Sequence, residues 1–127
     1  MAASSPDWVY DRAETDRAIV RDLAPGITAH VFPGSNSMLS LVTADPHSEG
    51  QIHSHPEEQW GVLLEGECIR IQDGRAVAMT EGNFWHTPSG TNHGIRTAET
   101  GAVILDVFSP PRPDYQSHGE GYGDGAP

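Results

Sequence analysis

The sequence predicts an all-β fold in a single domain, and three observations support this prediction. The 127 residues suit one domain, since a single hydrophobic core serves most chains of ~100–200 residues. The 14 Gly and 10 Pro are spread between short apolar stretches, which is typical of many brief strands separated by turns. About eight strands at this spacing favour a sandwich, a jelly roll or a barrel, architectures that hide strand edges and often hold a ligand.

Each predicted strand ends at a turn-forming residue. The six clearest strands are Ile27–Phe32, Met38–Thr43, Glu58–Glu65, Glu67–Gln72, Arg75–Met79 and Ala102–Phe108. Asp73-Gly74 is the strongest hairpin signal, because both residues tolerate the positive φ of a tight primed turn. A helix is predicted only for Ala13–Leu23, where Ile19 and Val20 would suit an edge strand equally well.

The predicted β domain lies between two segments of different character. Residues 1–25 are assigned to an N-terminal arm, residues 26–115 to the domain and residues 116–127 to a C-terminal tail. The tail is rich in Gly and has too few apolar residues for a core, so we expect it to be disordered. His118 and Tyr122 are assigned to this tail.

The composition restricts the partners and the compartment. Seven Lys and Arg against eighteen Asp and Glu give a net charge of −11, which excludes nucleic acid and anionic membranes as partners. No apolar run approaches the ~20 residues of a membrane span, and Met1–Pro6 has no signal-peptide features, so a cytoplasmic location is expected. The lone Cys68 excludes an internal disulfide and a multi-cysteine zinc site.

Two clusters contain candidate metal ligands. In the first, His53 and His55 lie two residues apart, so both imidazoles face the same way on a strand, and Gln59 opens the next strand. Taken alone, such a pair is more often two surface or hydrogen-bonded histidines than a metal site. The second cluster, Gly82–Thr97, contains His93 after a Pro-Ser-Gly turn.

Together the two clusters resemble the paired motifs of the cupin superfamily. The first motif runs Gly, His-x-His, three or four residues, Glu, six residues and Gly; the second runs Gly, five residues, Pro-x-Gly, two residues, His, three residues and Asn. The matching residues are His53, His55, Gln59, Gly66, Gly82, Pro88, Gly90, His93 and Thr97. Gly50 lies closer to His53 than usual, Gln59 replaces Glu, and Thr97 replaces Asn. The resemblance, over roughly Gly26–Tyr115, implies a single RmlC-like, jelly-roll β-barrel domain.

The predicted ligand set is uncharged. Three imidazoles and the Gln59 amide would leave the full +2 on one divalent ion, whereas the usual Glu would reduce the site to +1. The stronger Lewis acid would attract a small anionic substrate despite the acidic chain. Imidazole suits Ni, Zn, Fe and Cu alike, and Mn and Co remain open as well. The alternative is a metal-free cupin whose inward histidines only form hydrogen bonds.

The last predicted strand and its exit contain a carboxylate and an arginine. Asp106 shares a face with Phe108 among apolar neighbours, so it could act as a general acid or base beside a bound substrate. The alternative is an Asp satisfied by backbone donors. Arg112, after Pro110-Pro111, could fold over the mouth and clamp a carboxylate, or it could lie in a solvated tail.

A closer resemblance involves three segments. HSHPEEQ, PSGTNHG and LDVFSPPRPDY are similar to the KdgF-type cupins, small enzymes of pectin and alginate breakdown that linearise 4,5-unsaturated uronates. The resemblance implies a metal held by the three His and Gln59, with catalysis by Asp106, Phe108 and Arg112. It also implies ring opening and tautomerisation of the enol to the keto form, without net redox change. Asp106 would move the proton, Phe108 would pack against the sugar, and Arg112 would pair with the uronate carboxylate.

Two other classes of function remain open. One is an Fe(II)-dependent cupin dioxygenase, since an open iron site with three histidines binds oxygen well. The other is a non-enzymatic cupin that holds a small acid or a metal without converting it. The roles of four further residues also stay open: His86, Trp60, Trp85 and Arg96.

A homodimer is predicted as the assembly. Cupins commonly pair by sheet packing or by exchange of an N-terminal strand, and Trp8–Tyr10 gives the arm apolar residues to dock.

Overall fold

The structure is a computed structural model that describes residues 5–123. Within this range the chain forms nine strands and one short 3-10 helix, η1, and the predicted all-β fold is confirmed. In chain order, the strands and η1 are β1 Ile19–Ala24, β2 Ile27–Pro33, β3 Met38–Ala44, β4 Glu58–Gln72, β5 Arg75–Thr80, β6 Phe84–Thr87, β7 His93–Arg96, β8 Ala102–Ser109, η1 Pro113–Tyr115 and β9 Gly119–Glu120.

The long strand β4 is shared by two sheets. Its first half pairs with β8 and β6, and the larger sheet continues from β8 through β3, β2 and β1 to β9. Its second half pairs with β5 and β7. The described pairings are antiparallel except for that of β1 with β9. The inward faces of the two sheets therefore enclose one interior, as the predicted jelly-roll barrel requires.

Two turn predictions have different outcomes. Asp73 and Gly74 both have positive φ, 48° and 81°, and join β4 to β5 as the predicted hairpin. Gly66, which was expected to separate two strands, lies inside β4. A Cβ atom at Gly66 would lie 1.9 Å from the carbonyl oxygen of Gly101. This glycine therefore permits a close approach of two backbones and ends no strand.

The helix predicted over Ala13–Leu23 is wrong. Residues 19–24 form β1, in which Arg21 and Leu23 are buried and the intervening Asp22 is exposed, so the period is two. Pairing with β2 and burial of alternate residues outweigh the weak helical spacing of the apolar side chains.

The structure also differs from the predicted disordered tail. Arg21, which is 6% exposed, donates hydrogen bonds to the carbonyl oxygens of Asp114 and Glu120, both at 2.7 Å. Strand β9 pairs with β1, and Tyr122 is buried. Residues 116–123 are thus part of the folded body, and the last four residues of the predicted tail lie outside the described residues.

The hydrophobic core fills the space between the sheets with inward-facing side chains from most strands. Its most deeply buried members are Ile27, Ala29, Val31, Met38, Leu63, Ile104, Phe108 and Tyr115. No helix in the described part of the chain is long and apolar enough to cross a bilayer.

Candidate metal centre

Backbone pairing brings the predicted histidines together at one end of an interior cavity. His53 and His93 exchange reciprocal backbone hydrogen bonds of 2.9 Å and 2.8 Å, so the two motifs are directly joined. The carbonyl oxygen of His55 accepts a bond of 2.9 Å from the N–H of Gly90. The three imidazoles present ligand atoms that all lie within 4.8 Å of one another.

The imidazole rings are oriented by the main chain. Each Nδ1 atom lies 2.8–2.9 Å from a backbone carbonyl oxygen. The pairs are His53 with Gln51, His55 with Glu57, and His93 with Thr91. Because a carbonyl oxygen can only accept, each Nδ1 carries the proton, and each Nε2 keeps its lone pair for a ligand bond.

Burial keeps these imidazoles neutral. Desolvation lowers the pKa of His53 to about 4 and that of His93 to about 2. Desolvation also lowers the pKa of His55 to about 4, and the nearby Arg112 charge adds to that effect. Neutral imidazoles are the form that binds metal ions, so the cluster does not need to lose protons near neutral pH.

Gln59 completes the set from the start of β4. Its Oε1 atom lies 3.0 Å from Nε2 of His55, which brings two lone pairs together because the proton of His55 is on Nδ1. Two ligands at ~2.1 Å from one ion and at right angles to each other would stand ~3.0 Å apart. Nε2 of His93 is buried without a hydrogen-bond partner. These residues fit a divalent ion, and the identity of the ion stays open.

Asp106 lies on β8 in the wall of the same cavity. Its Oδ1 atom is buried and has no hydrogen-bond partner. Burial raises the pKa of its carboxyl to about 6, against the opposing effects of the Arg70 charge and of hydrogen bonding by the Gln59 amide. The Asp106 side chain therefore faces the cavity, as expected. Backbone donors do not satisfy all of its hydrogen-bonding capacity, so that alternative is wrong.

Gly61 gives two polar groups access to the cavity. It pairs with Trp85 on β6 and with Asp106 on β8. A Cβ atom at Gly61 would lie 2.3 Å from Nε1 of Trp85 and 2.8 Å from Oδ1 of Asp106. Any larger residue would fill the space between the indole N–H and the carboxylate. The sequence analysis missed Gly61, and only the strand register reveals it.

Phe108 lines the cavity, whereas Arg112 lies outside the cavity lining. The Phe108 ring lines the cavity and meets the His55 ring edge-on at 5.6 Å. Arg112 is only 1% exposed and lies outside the cavity lining, with Nη2 donating to the carbonyl oxygen of Tyr122 at 2.7 Å. Its guanidinium stacks on the Tyr115 ring at 4.2 Å. The expectation of a solvated tail is therefore wrong, and the guanidinium does not line the cavity in which a clamp would act.

Arg70 is the cationic residue of the cavity wall. It lies on β4, is 5% exposed, and donates to Oγ1 of Thr87 at 2.9 Å and to Oε1 of Gln72 at 3.1 Å. The sequence analysis missed this residue, although an arginine between apolar neighbours in the strand ECIRIQ is an available signal.

The four residues whose roles the sequence left open do not all lie on the same face of the barrel. Trp85 is buried in the cavity wall, whereas Trp60 is 47% exposed. The Trp60 ring stacks on His86 at 4.6 Å, and Nε2 of His86 lies 2.5 Å from Oε2 of Glu58. His86 thus faces away from the cavity, opposite to Trp85, and Arg96 is half-buried on β7.

Comparison with known families agrees with this geometry. Residues 40–108 match the family described as the cupin domain, so the chain belongs to the cupin family. An RmlC-like cupin from Shewanella frigidimarina has a similar structure, with a TM-score of 0.73, 24% identity, and coverage of 87% of this chain and 96% of that chain. At this level of identity, the similarity shows that the two chains share a fold and nothing further.

Two relatives with named functions are also similar. The structure of KdgF from Halomonas sp. gives a TM-score of 0.69 at 27% identity, covering 75% of this chain and 88% of that chain. Oxalate decarboxylase OxdC of Bacillus subtilis is 32% identical over 88 residues, 65% of this chain. The matched region is only 23% of the OxdC chain.

We predict that His93→Ala removes stoichiometric metal binding. The change leaves two imidazoles and one amide, and loss of a ligand lowers the affinity at least ~100-fold by analogy with supporting contacts worth 10–100-fold. Metal content after reconstitution and dialysis, measured by elemental analysis, checks this. His86→Ala is the matched control, because His86 faces away from the cavity, and it should retain the ion. Equal metal content in both variants would contradict the site.

We also predict that Asp106→Asn stabilises the metal-free protein at pH 8 and not at pH 4. Folding raises the carboxyl pKa from 3.8 to about 6, so its favourable contribution is complete below about pH 4 and is lost as the pH rises through about 6. Asn avoids that loss, which is on the order of 3 kcal/mol. Thermal unfolding at both pH values measures it, with exposed Asp45→Asn as the control. A variant no more stable than wild type at pH 8 would contradict the buried carboxylate.

Proposed function

We propose that the chain is a metal-dependent enzyme that opens and tautomerises a 4,5-unsaturated uronate or a similar sugar acid, without redox change. One observation carries the proposal: a neutral set of three imidazoles and an amide lies beside the buried carboxyl of Asp106, whose Oδ1 atom has no hydrogen-bond partner. The similarity to KdgF from Halomonas sp. supports the same class of reaction. Because OxdC is matched over only 23% of its length, its activity is not carried over.

The unsatisfied polar atoms of the cavity support a polar ligand. Five buried atoms without a hydrogen-bond partner belong to residues that line this one cavity. They are Oγ of Ser40, Nε1 of Trp85, Nε2 of His93, Oδ1 of Asp106 and the hydroxyl of Tyr122. Buried polar groups are normally paired, so such a group of unpaired atoms suits a ligand with several hydroxyl or carboxyl groups.

The local charge supports an anionic ligand in an acidic protein. The chain has a net charge of −11, yet the cavity wall includes the Arg70 guanidinium, which offsets the Asp106 carboxyl, and a ligand set that adds no negative charge. A bound divalent ion would supply Lewis-acid stabilisation of a developing enolate oxygen. We assign to Arg70 the pairing with the substrate carboxylate that the family resemblance gave to Arg112.

The proposed proton transfer uses Asp106. A carboxyl with a pKa of about 6 can give up and accept a proton near neutral pH, as ring opening and ketonisation both require. The Gln59 amide contacts both His55 and this carboxyl, so it fixes the carboxyl relative to the ligand set. Phe108 closes the apolar side of the cavity and packs against the sugar ring.

We predict that the metal-loaded protein converts unsaturated galacturonate or guluronate under nitrogen. The product is followed by NMR, and its rate of formation is compared with the spontaneous rate. Asp106→Asn should lower kcat by ~10²–10⁴, because it removes the general acid–base group. Asp45→Asn, an exposed change of the same kind, should leave kcat unaltered. Wild-type turnover only in the presence of oxygen would replace the proposal by a dioxygenase. Binding of the sugars without any product would replace it by a non-enzymatic cupin.

We further propose that the outer face of the larger sheet pairs two copies of the chain. Apolar residues lie opposite one another across the strands of this face, as the strand register requires. One row contains Phe84, Val62 and Leu105, and the next contains Trp60, Val107 and Leu39. Phe84 is 68% exposed, and such a continuous apolar patch suits an isologous dimer.

We predict that Phe84→Glu yields a monomer while the wild type is a dimer at micromolar concentration. A carboxylate in an apolar interface would be buried without a partner in both copies. Light scattering measures the mass, and Val77→Glu on β5, away from this face, is the control that should stay dimeric. A monomeric wild type would refute the dimer without affecting the proposed reaction.

A further inference from the structure

The C-terminal segment inserts a tyrosine side chain into the cavity. Tyr122 is 7% exposed, and its ring lies over His53 with centroids 4.3 Å apart and planes inclined by 31°. Its hydroxyl is buried, has no hydrogen-bond partner, and belongs to a residue of the cavity lining. Buried hydroxyl groups are normally hydrogen-bonded, so this hydroxyl is available to a ligand in the cavity.

Two buried arginines hold this segment in place. Nη2 of Arg112 donates to the carbonyl oxygen of Tyr122 at 2.7 Å, and Nη2 of Arg21 donates to that of Gly121 at 3.0 Å. The N–H of Gly121 donates to the carbonyl oxygen of Asp22 at 2.8 Å. The backbone on each side of the Tyr122 ring is thus fixed to the barrel, so the ring position is determined by the fold.

Gly50 leaves the room that the phenol occupies. A Cβ atom at Gly50 would lie 2.3 Å from the Tyr122 hydroxyl. Gly50 does not have a positive φ, whereas His47, three residues earlier, has a φ of 57°, a conformation that favours glycine. A glycine is needed at position 50 for a different reason, because the Tyr122 hydroxyl lies close to the backbone there.

We propose that Tyr122 is a specificity-determining residue whose hydroxyl hydrogen-bonds the sugar acid bound in the cavity. The inference rests on the proposed function for its ligand class. Tyr122, like Ser40, Trp85 and Asp106, lines the cavity and has a buried polar atom without a hydrogen-bond partner. The tyrosine would select ligands with an acceptor or a hydroxyl at that side of the cavity.

Calorimetry with D-galacturonate, a uronate without the 4,5 double bond, tests the contact on metal-loaded protein. Tyr122→Phe keeps the ring on His53 and removes only the hydroxyl, so the Kd should rise about tenfold, the effect of one lost hydrogen bond. The metal affinity, measured separately, should stay within about twofold of wild type, as expected if only a ligand contact is lost. Tyr10→Phe on the exposed arm is the control and should bind as wild type. An unchanged Kd for Tyr122→Phe would overturn the proposal.

A double-mutant cycle with Gly50→Ala separates contact from general damage. The added methyl group displaces the phenol, so Gly50→Ala should weaken galacturonate binding as much as Tyr122→Phe does. The combined variant should bind no more weakly than either single variant, because the same hydroxyl is lost in each. Additive losses would overturn the shared contact.

The same variants distinguish failure of this inference from failure of the proposed function. If the metal-loaded wild type neither binds galacturonate nor converts an unsaturated uronate, the uronate assignment fails, and the contact with a sugar acid fails with it. The position of the phenol is then judged by thermal unfolding. Gly50→Ala should lower the Tm, and Tyr122→Phe should restore it, since the nearest remaining ring atom is 3.2 Å from the new Cβ. Equal Tm losses in the single and double variants would show that the phenol is not there.

Discussion

The hydrogen bonds from three imidazole Nδ1 atoms to backbone carbonyl oxygens are the interactions on which the rest of the site depends. Through them the main chain fixes which nitrogen of each ring is free and where it points. The reciprocal backbone bonds between His53 and His93 hold the two histidine-bearing segments together. The ligand cluster is therefore arranged by the fold itself, and an ion would enter a site that is already organised.

One strand links the fold to the chemistry. Strand β4 contributes Gln59 to the ligand set, Gly61 to the free space beside the carboxylate, and Arg70 to the positive charge of the wall. Because it belongs to both sheets, these groups keep a fixed spacing along one backbone. The carboxyl of Asp106 on the neighbouring strand then lies between an amide and a guanidinium, which oppose the rise in its pKa that burial causes.

The sequence predicted what depends on local pattern and missed what depends on distant partners. Strand alternation and motif spacing identified the three histidines, Gln59, and the inward side of β8. Composition suggested a disordered final segment, and it could not show that Arg21, about a hundred residues earlier, donates hydrogen bonds to the carbonyl oxygens of this segment or that Tyr122 is buried in the core. Gly61 and Gly50 were missed for a similar reason, because their role is defined by the atoms that approach them.

The position of Tyr122 near the end of the chain has an evolutionary consequence. The histidine cluster and the antiparallel strands are built from residues that precede η1, so a change of side chain at Tyr122 leaves the register of those strands unaltered. Selection on that segment would alter which acids bind in the cavity, while the residues proposed to bind the ion stay the same. Divergence among such barrels would then be concentrated in the segment that follows η1.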